Sequence, residues 1–123
     1  MGNSNRKNHR ERKRENESDE SGRLVRLQEL IREEVNFLLR SEVRNPRLDG
    51  VVVTMVELTG DGSCARIWFT SETDRDQIKA LEGAAGFLRS QLAESLGLKR
   101  TPELRFRRDP VSRAFVRTQQ ELP

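Results

Sequence analysis

The sequence predicts a two-layer α+β domain with three helices on one face of a three-stranded sheet. Three observations predict it. An apolar stripe at helical spacing opens the domain, two strand-like runs flank a glycine-rich turn, and a second long helical phase precedes a short alternating strand.

The first helix begins near Ser21, which can cap it. Leu24, Leu27, Ile31, Val35 and Leu38 follow at steps of three and four, on one helical face. It ends before Asn45-Pro46, because proline lacks an amide proton and disfavours helix in the preceding residue. Arg44 to Gly50 then form a turn edged by Arg44 and Arg47. Strand one is Val51 to Leu58; both of its alternations are apolar, so the pattern leaves its buried face open. Gly60-Asp61-Gly62-Ser63 supplies hairpin chemistry. Strand two runs from Cys64 to Thr70, with Ala65, Ile67 and Phe69 facing one way and Arg66, Trp68 and Thr70 the other.

Ile78, Leu81, Ala85, Leu88, Leu92 and Leu96 then keep one helical phase. Gly83 and Gly86 interrupt it, each costing a helix interior about 1 kcal/mol relative to alanine. Since the phase survives them, two helices joined at a kink are expected. Gly97 and Thr101-Pro102 end the second. Strand three is Glu103 to Arg107, with Leu104 and Phe106 alternating against Arg105 and Arg107. The chain thus divides into a charged tail over 1–22, a domain over 23–109 and a C-terminal extension over 110–123. The weak apolar group of that extension, Ala114, Phe115 and Val116, either packs back or stays loose.

Composition fits this division. Of 123 residues, 33% are apolar, but Met1 is the only such side chain before Arg23. In the tail, Arg6, Lys7, Arg10, Arg12, Lys13 and Arg14 face Glu11 alone, and Glu15, Glu17, Asp19 and Glu20 follow. Opposed charge blocks without apolar period cannot offset the entropy of ordering, so the tail is expected to be disordered. It is either merely solvated or a non-specific electrostatic arm for nucleic acid. The lone Cys64, among strand residues, reads as a structural thiol. No apolar run reaches the roughly 18 residues of a membrane span, and no hydrophobic stretch follows the basic start. A cytoplasmic protein with no membrane partner is expected.

Catalysis finds little support. The single histidine, His9, lies in the tail, so the domain can build no histidine base, triad or metal cluster. No phosphate-binding loop of the Gly-rich-Lys-Ser/Thr kind occurs, and the helical carboxylates alternate with arginines as a solvated face does. Neither an enzyme nor a cofactor is expected. Basic residues do cluster late in the chain: Arg89, Lys99, Arg100, Arg105, Arg107, Arg108, Arg113 and Arg117 are opposed only by Glu94, Glu103 and Asp109. Arg89, one turn past the glycines, and Lys99-Arg100, past the helix end, are placed to grip phosphates on either side of a backbone. If strands two and three are neighbours, Trp68 sits among Arg66, Arg105 and Arg107 on an open sheet. Base stacking is then conceivable, although an indole covered by arginine stems is the favoured reading. Arg44 and Arg47 either contact a ligand or brace their turn.

The element order, helix-strand-strand-helix-kink-helix-strand, is that of a type II K-homology domain. In that fold a G-x-x-G turn between two helices lets a nucleic-acid backbone approach where no side chain blocks it. The corresponding stretch here is Gly83-Ala84-Ala85-Gly86, which serves either that approach or helix packing alone. From Leu24 to Asp109 the chain also resembles ribosome-binding factor A. Three blocks carry the resemblance: Arg44-Asn45-Pro46-Arg47-Leu48, Ala84-Ala85-Gly86-Phe87-Leu88-Arg89, and Leu98-Lys99-Arg100-Thr101-Pro102-Glu103-Leu104-Arg105-Phe106. The resemblance implies a K-homology-like fold in which an Ala-x-Gly kink, here Ala84 and Gly86, replaces the glycine loop. Gly83 then restores a literal G-x-x-G by coincidence, since two intervening alanines offer a phosphate no donor.

The resemblance further implies binding to the rRNA of free small ribosomal subunits late in maturation, near the future decoding region. It also implies a ribosome-associated GTPase in release. The expected factor is a monomer that contacts RNA through Arg44, Arg47, Ala84, Gly86, Arg89, Lys99, Arg100, Arg105 and Arg107. The charged N-terminal extension and the C-terminal end depart from the family's pattern. The rival reading is a protein-docking adaptor, whose binding would fall less steeply with salt.

Overall fold

The computed structural model describes residues 2–71 and 77–110, with side chains from Gly22 onward. Its elements are helix α1 (Gly2–Ser41), a short 3-10 turn (Pro46–Leu48), strands β1 (Val52–Leu58) and β2 (Cys64–Thr70), helix α2 (Gln77–Leu96) and strand β3 (Glu103–Arg108). The sheet order is β1-β2-β3, with β1 antiparallel and β3 parallel to β2. Both helices share one buried cluster with the sheet. Ile31, Val35 and Leu38 come from α1, Leu81, Leu88 and Leu92 from α2, and Ala65, Ile67, Phe69, Leu104 and Phe106 from the strands. The alternation in β2 and β3 therefore lies as the sequence predicts.

The helices differ from expectation in number and in length. The described residues hold two, because α2 runs unbroken from Gln77 to Leu96 through both glycines. Leu81 precedes the glycines, Leu88 and Leu92 follow them, and all three are fully buried. Packing of that stripe outweighs a local propensity cost of about 1 kcal/mol per glycine. At the other end of the chain, α1 begins at Gly2 and not at Ser21, so the segment expected as a disordered tail continues the helix. Residues 2–20 contain no proline and are rich in Arg, Lys and Glu, which favour helix. Apart from Pro110, the expected C-terminal extension lies outside the described residues.

Strand β1 resolves the ambiguity of its sequence with a bulge. Val53 pairs with Phe69 and Met55 with Trp68, so Thr54 is the extra residue. The bulge shifts the parity of the strand: Val51 and Val53 are buried before it and Val56 after it, while Val52 and Met55 are exposed. The Thr54 hydroxyl lies 2.6 Å from Asp109 Oδ2 and 3.3 Å from the Trp68 carbonyl oxygen, which ties the bulge to the end of β3.

The outer edge of β1 is closed by amide side chains from α1. Asn36 Nδ2 donates to the Val53 carbonyl at 3.0 Å, and its Oδ1 accepts from the Val53 N–H at 2.7 Å. Gln28, two turns earlier on the helix, accepts from the Leu58 N–H at 2.9 Å. Gln77, 1% exposed, joins the other corner by donating to the Arg47 carbonyl and the Ser71 hydroxyl. It also accepts from Arg108 Nη2. Helix α2 ends at Gly97, whose φ of 61° suits glycine, and the Leu98 N–H closes the last turn on Ala93. No described helix is long and apolar enough to cross a membrane.

Candidate nucleic-acid interface

Along α2, Gly83, Gly86, Phe87 and Ser90 are spaced by three and four and are all exposed, so they form one outward stripe. A Cβ added at Gly83 or Gly86 would meet nothing within 4 Å. Helix packing therefore gives no reason for either glycine. The stripe is a nearly bare strip of backbone beside one aromatic ring, Phe87, which is 42% exposed. Ala84 lies beside it, half-buried and packed against the core.

Arg89 has a different job from the one its position suggested. Its Nε donates to the Pro102 carbonyl at 3.0 Å and its Nη2 to the Thr101 carbonyl at 3.1 Å. The guanidinium pins the segment before β3 against α2, one helical turn from Gly86. Lys99 and Arg100, both exposed, precede that anchored segment directly. Arg89 thus holds the start of the segment leading into β3, and Lys99 and Arg100 stand exposed just upstream of it.

The other expected contacts lie elsewhere. Arg44 and Arg47 are exposed at the 3-10 turn. That turn is braced by Asn45, whose Oδ1 accepts from the Arg47 N–H, and by Gln77 on the Arg47 carbonyl. Arg105 and Arg107 project from the sheet face opposite the helices, since Leu104 and Phe106 turn inward between them. The nine expected residues therefore fall into three places: Ala84, Gly86, Arg89, Lys99 and Arg100 around α2, Arg44 and Arg47 at the turn, and Arg105 and Arg107 on the open sheet.

On that open face, Arg66 pairs in register with Arg105, and Trp68 with Arg107. Across β1, Glu57 is registered with Arg66 and Met55 with Trp68. The Trp68 Nε1–H donates to Glu57 Oε1 at 2.6 Å, which fixes the indole across the strand pair. Thr59, Cys64, Arg66, Trp68, Arg105 and Arg107 line an open groove of about 540 Å³. Trp68 is half-buried, and its side chain shares the lining of this groove with the arginines. The sequence shows both halves of this face, but only the β2–β3 register joins them. Beside it, the hairpin turn is locked by Asp61. The Thr59 hydroxyl first, then the Ser63 backbone N–H and hydroxyl, hold the Asp61 carboxyl down to about 2. Among the described residues no cluster of His, Cys, Asp and Glu could hold a metal ion.

Comparisons with known proteins agree with one another. The sequence model of Ribosome-binding factor A matches residues 23–122. The Ruthia magnifica ribosome-binding factor A is 39% identical over 104 residues, covering 83% of this chain and 93% of the relative. That of Methylobacillus flagellatus is 44% identical over 89 residues, covering 71% of each. Among solved structures, the crystal structure of ribosome-binding factor A from Thermus thermophilus superposes with a TM-score of 0.65 at 23% identity, over 69% of this chain and 94% of that one. A homology model of the Thermus thermophilus factor, fitted into the cryo-EM map of a 30S–RbfA complex, gives a TM-score of 0.63 at 24% identity. It covers 72% of this chain and 97% of the other.

Proposed function

Because this chain belongs to the ribosome-binding factor A family, we propose that it is a non-catalytic assembly factor. It binds rRNA of the free small ribosomal subunit during late maturation and rRNA processing. The Thermus thermophilus relative has been fitted into a 30S complex, which supports the same particle as the partner here. On this reading the chain is a cytoplasmic monomer with a K-homology-like domain. It requires no cofactor, and a ribosome-associated GTPase acts in its release.

The observation that carries the reading is the glycine stripe. Gly83 and Gly86 lower helix propensity, are exposed, and face open space. What they permit is close approach of an outside backbone. Lys99 and Arg100, just upstream of the segment that Arg89 holds, supply the charge that a phosphate backbone needs. Ala84 sets the depth of approach, while Arg44 and Arg47 offer phosphate contacts at the far end of α2. The factor works by holding one rRNA segment in a single conformation and then leaving, with no bond made or broken.

Co-sedimentation with small subunits, large subunits and whole ribosomes across a salt series tests this. Binding to the small subunit alone is expected. It should weaken with a log–log slope near −0.9 for each duplex phosphate contacted, and Lys99→Ala/Arg100→Ala should reduce it several-fold. Binding to none of the three at low salt would overturn the reading in favour of the protein-docking adaptor.

A further inference from the structure

We infer that the open sheet face is a second RNA surface, one that stacks an unpaired nucleotide on Trp68 and holds its phosphates with Arg66, Arg105 and Arg107. The inference deepens the RNA-binding reading above and rests on it. It concerns the side of the sheet away from the glycine stripe.

The groove has the chemistry of this ligand. Its lining contains three guanidinium groups, one indole and no carboxylate. Arg66 and Arg107 make no side-chain hydrogen bond or ion pair among the described residues. Arg105 has only Glu103 at 3.9 Å, with both side chains more than half exposed, a contact of little strength in water. All three guanidinium groups are thus available for forked hydrogen bonds to phosphate oxygens.

The indole decides between an acidic peptide and a nucleic acid. Its N–H is its sole polar group, and Glu57 already occupies it. With that N–H engaged, Trp68 brings to the groove lining only ring surface without a free polar group, beside Arg66 on its own strand and Arg107 in register on the next. An acidic peptide would use the cations and find no partner in the ring. A splayed base uses both, by stacking on the ring while its phosphates meet the arginines. Bases within a duplex are stacked on each other and present no free face, so the ligand is single-stranded. With no side-chain donor left on the indole, base identity should matter little.

Trp68 is the only tryptophan in the chain, so its fluorescence reports on this surface alone. The experiment titrates the full chain with an oligouridylate about ten nucleotides long, within the site sizes typical of single-strand binders. Indole emission is read together with the anisotropy of a labelled oligomer. Saturable quenching is expected, with a salt slope near −2 if roughly three phosphates are neutralised at about 0.7 each. Arg105→Ala/Arg107→Ala, both exposed sites, should weaken binding about tenfold, and Trp68→Leu should weaken it to a similar degree, while Trp68→Phe keeps most of the affinity.

Absence of quenching at saturating oligomer would overturn the inference, as would equal quenching by polyglutamate. If the parent chain still sediments with small subunits in either case, the proposed function stands and the sheet surface alone is wrong. Quenching by the oligomer without subunit binding would instead remove the proposed function and leave an RNA surface of other use.

Discussion

Helices α1 and α2 lie against the same sheet but hold it in different ways. Helix α1 combines an apolar stripe with two amides, Asn36 and Gln28, that hydrogen-bond the backbone of β1. Helix α2 buries Leu81, Leu88 and Leu92, and among the described residues its polar contacts run through Gln77, Arg89 and Ser95. Its outward side carries two glycines that no internal contact requires. The contrast teaches that α1 is shaped by what it must satisfy inside the molecule. On the proposed function, helix α2 is shaped partly by an RNA outside it.

Truncating the apolar anchor of α2 should have the largest effect. Leu88 is fully buried, so Leu88→Ala should cost about 2–5 kcal/mol through lost transfer energy and the cavity left behind, read as a lower denaturant midpoint. Asn36→Ala should cost about 2–3 kcal/mol, since it strips partners from the N–H and the C=O of Val53 at a covered edge. A loss below about 0.5 kcal/mol would mean that α1 is held by apolar packing alone, and the contrast between the helices would fail. Gly83→Ala and Gly86→Ala should each stabilise the fold by up to about 1 kcal/mol, because nothing obstructs the new methyl. The same variants should bind small subunits more weakly. If they gain stability and keep full binding, the stripe has no outside partner.

Where the sequence was legible, one periodic pattern ran undisturbed. The stripe of α1, the limits of β2 and the inward residues of β3 all follow from spacing alone, because each buries a single face. The helix count was not legible for α2. Glycine propensity is a local quantity, and it was outweighed by leucines on either side of Gly83 and Gly86. The buried face of β1 was hidden for a different reason: a bulge at Thr54 exchanges the two alternations midway, and neither alternation is right for the whole strand. Charge blocks also concealed the length of α1, since they interrupt the apolar pattern without breaking the helix.

The candidate site was half legible. Its residue types and its place on α2 could be read from the chain. The work of Arg89 could not, because its acceptors, the carbonyls of Thr101 and Pro102, reach it only when the chain doubles back toward β3. Phe87 belongs to the exposed stripe, and its spacing of four from Gly83 was the available signal. Arg66 and Trp68 were visible on β2, but their company with Arg105 and Arg107 depended on a strand pairing that no local pattern specifies.

The amide clasp on β1 has a consequence for how the molecule behaves when crowded. A sheet edge with free N–H and C=O groups is a template on which another chain can crystallise. Asn36 and Gln28 occupy that template near both ends of β1, which leaves the outer side of β3 as the open edge among the described residues. A unit with one adhesive side can pair once, edge to edge, and must then stop. Fibre growth needs two such sides, so the same side chains that seat α1 also work against sheet-driven polymers on the β1 side.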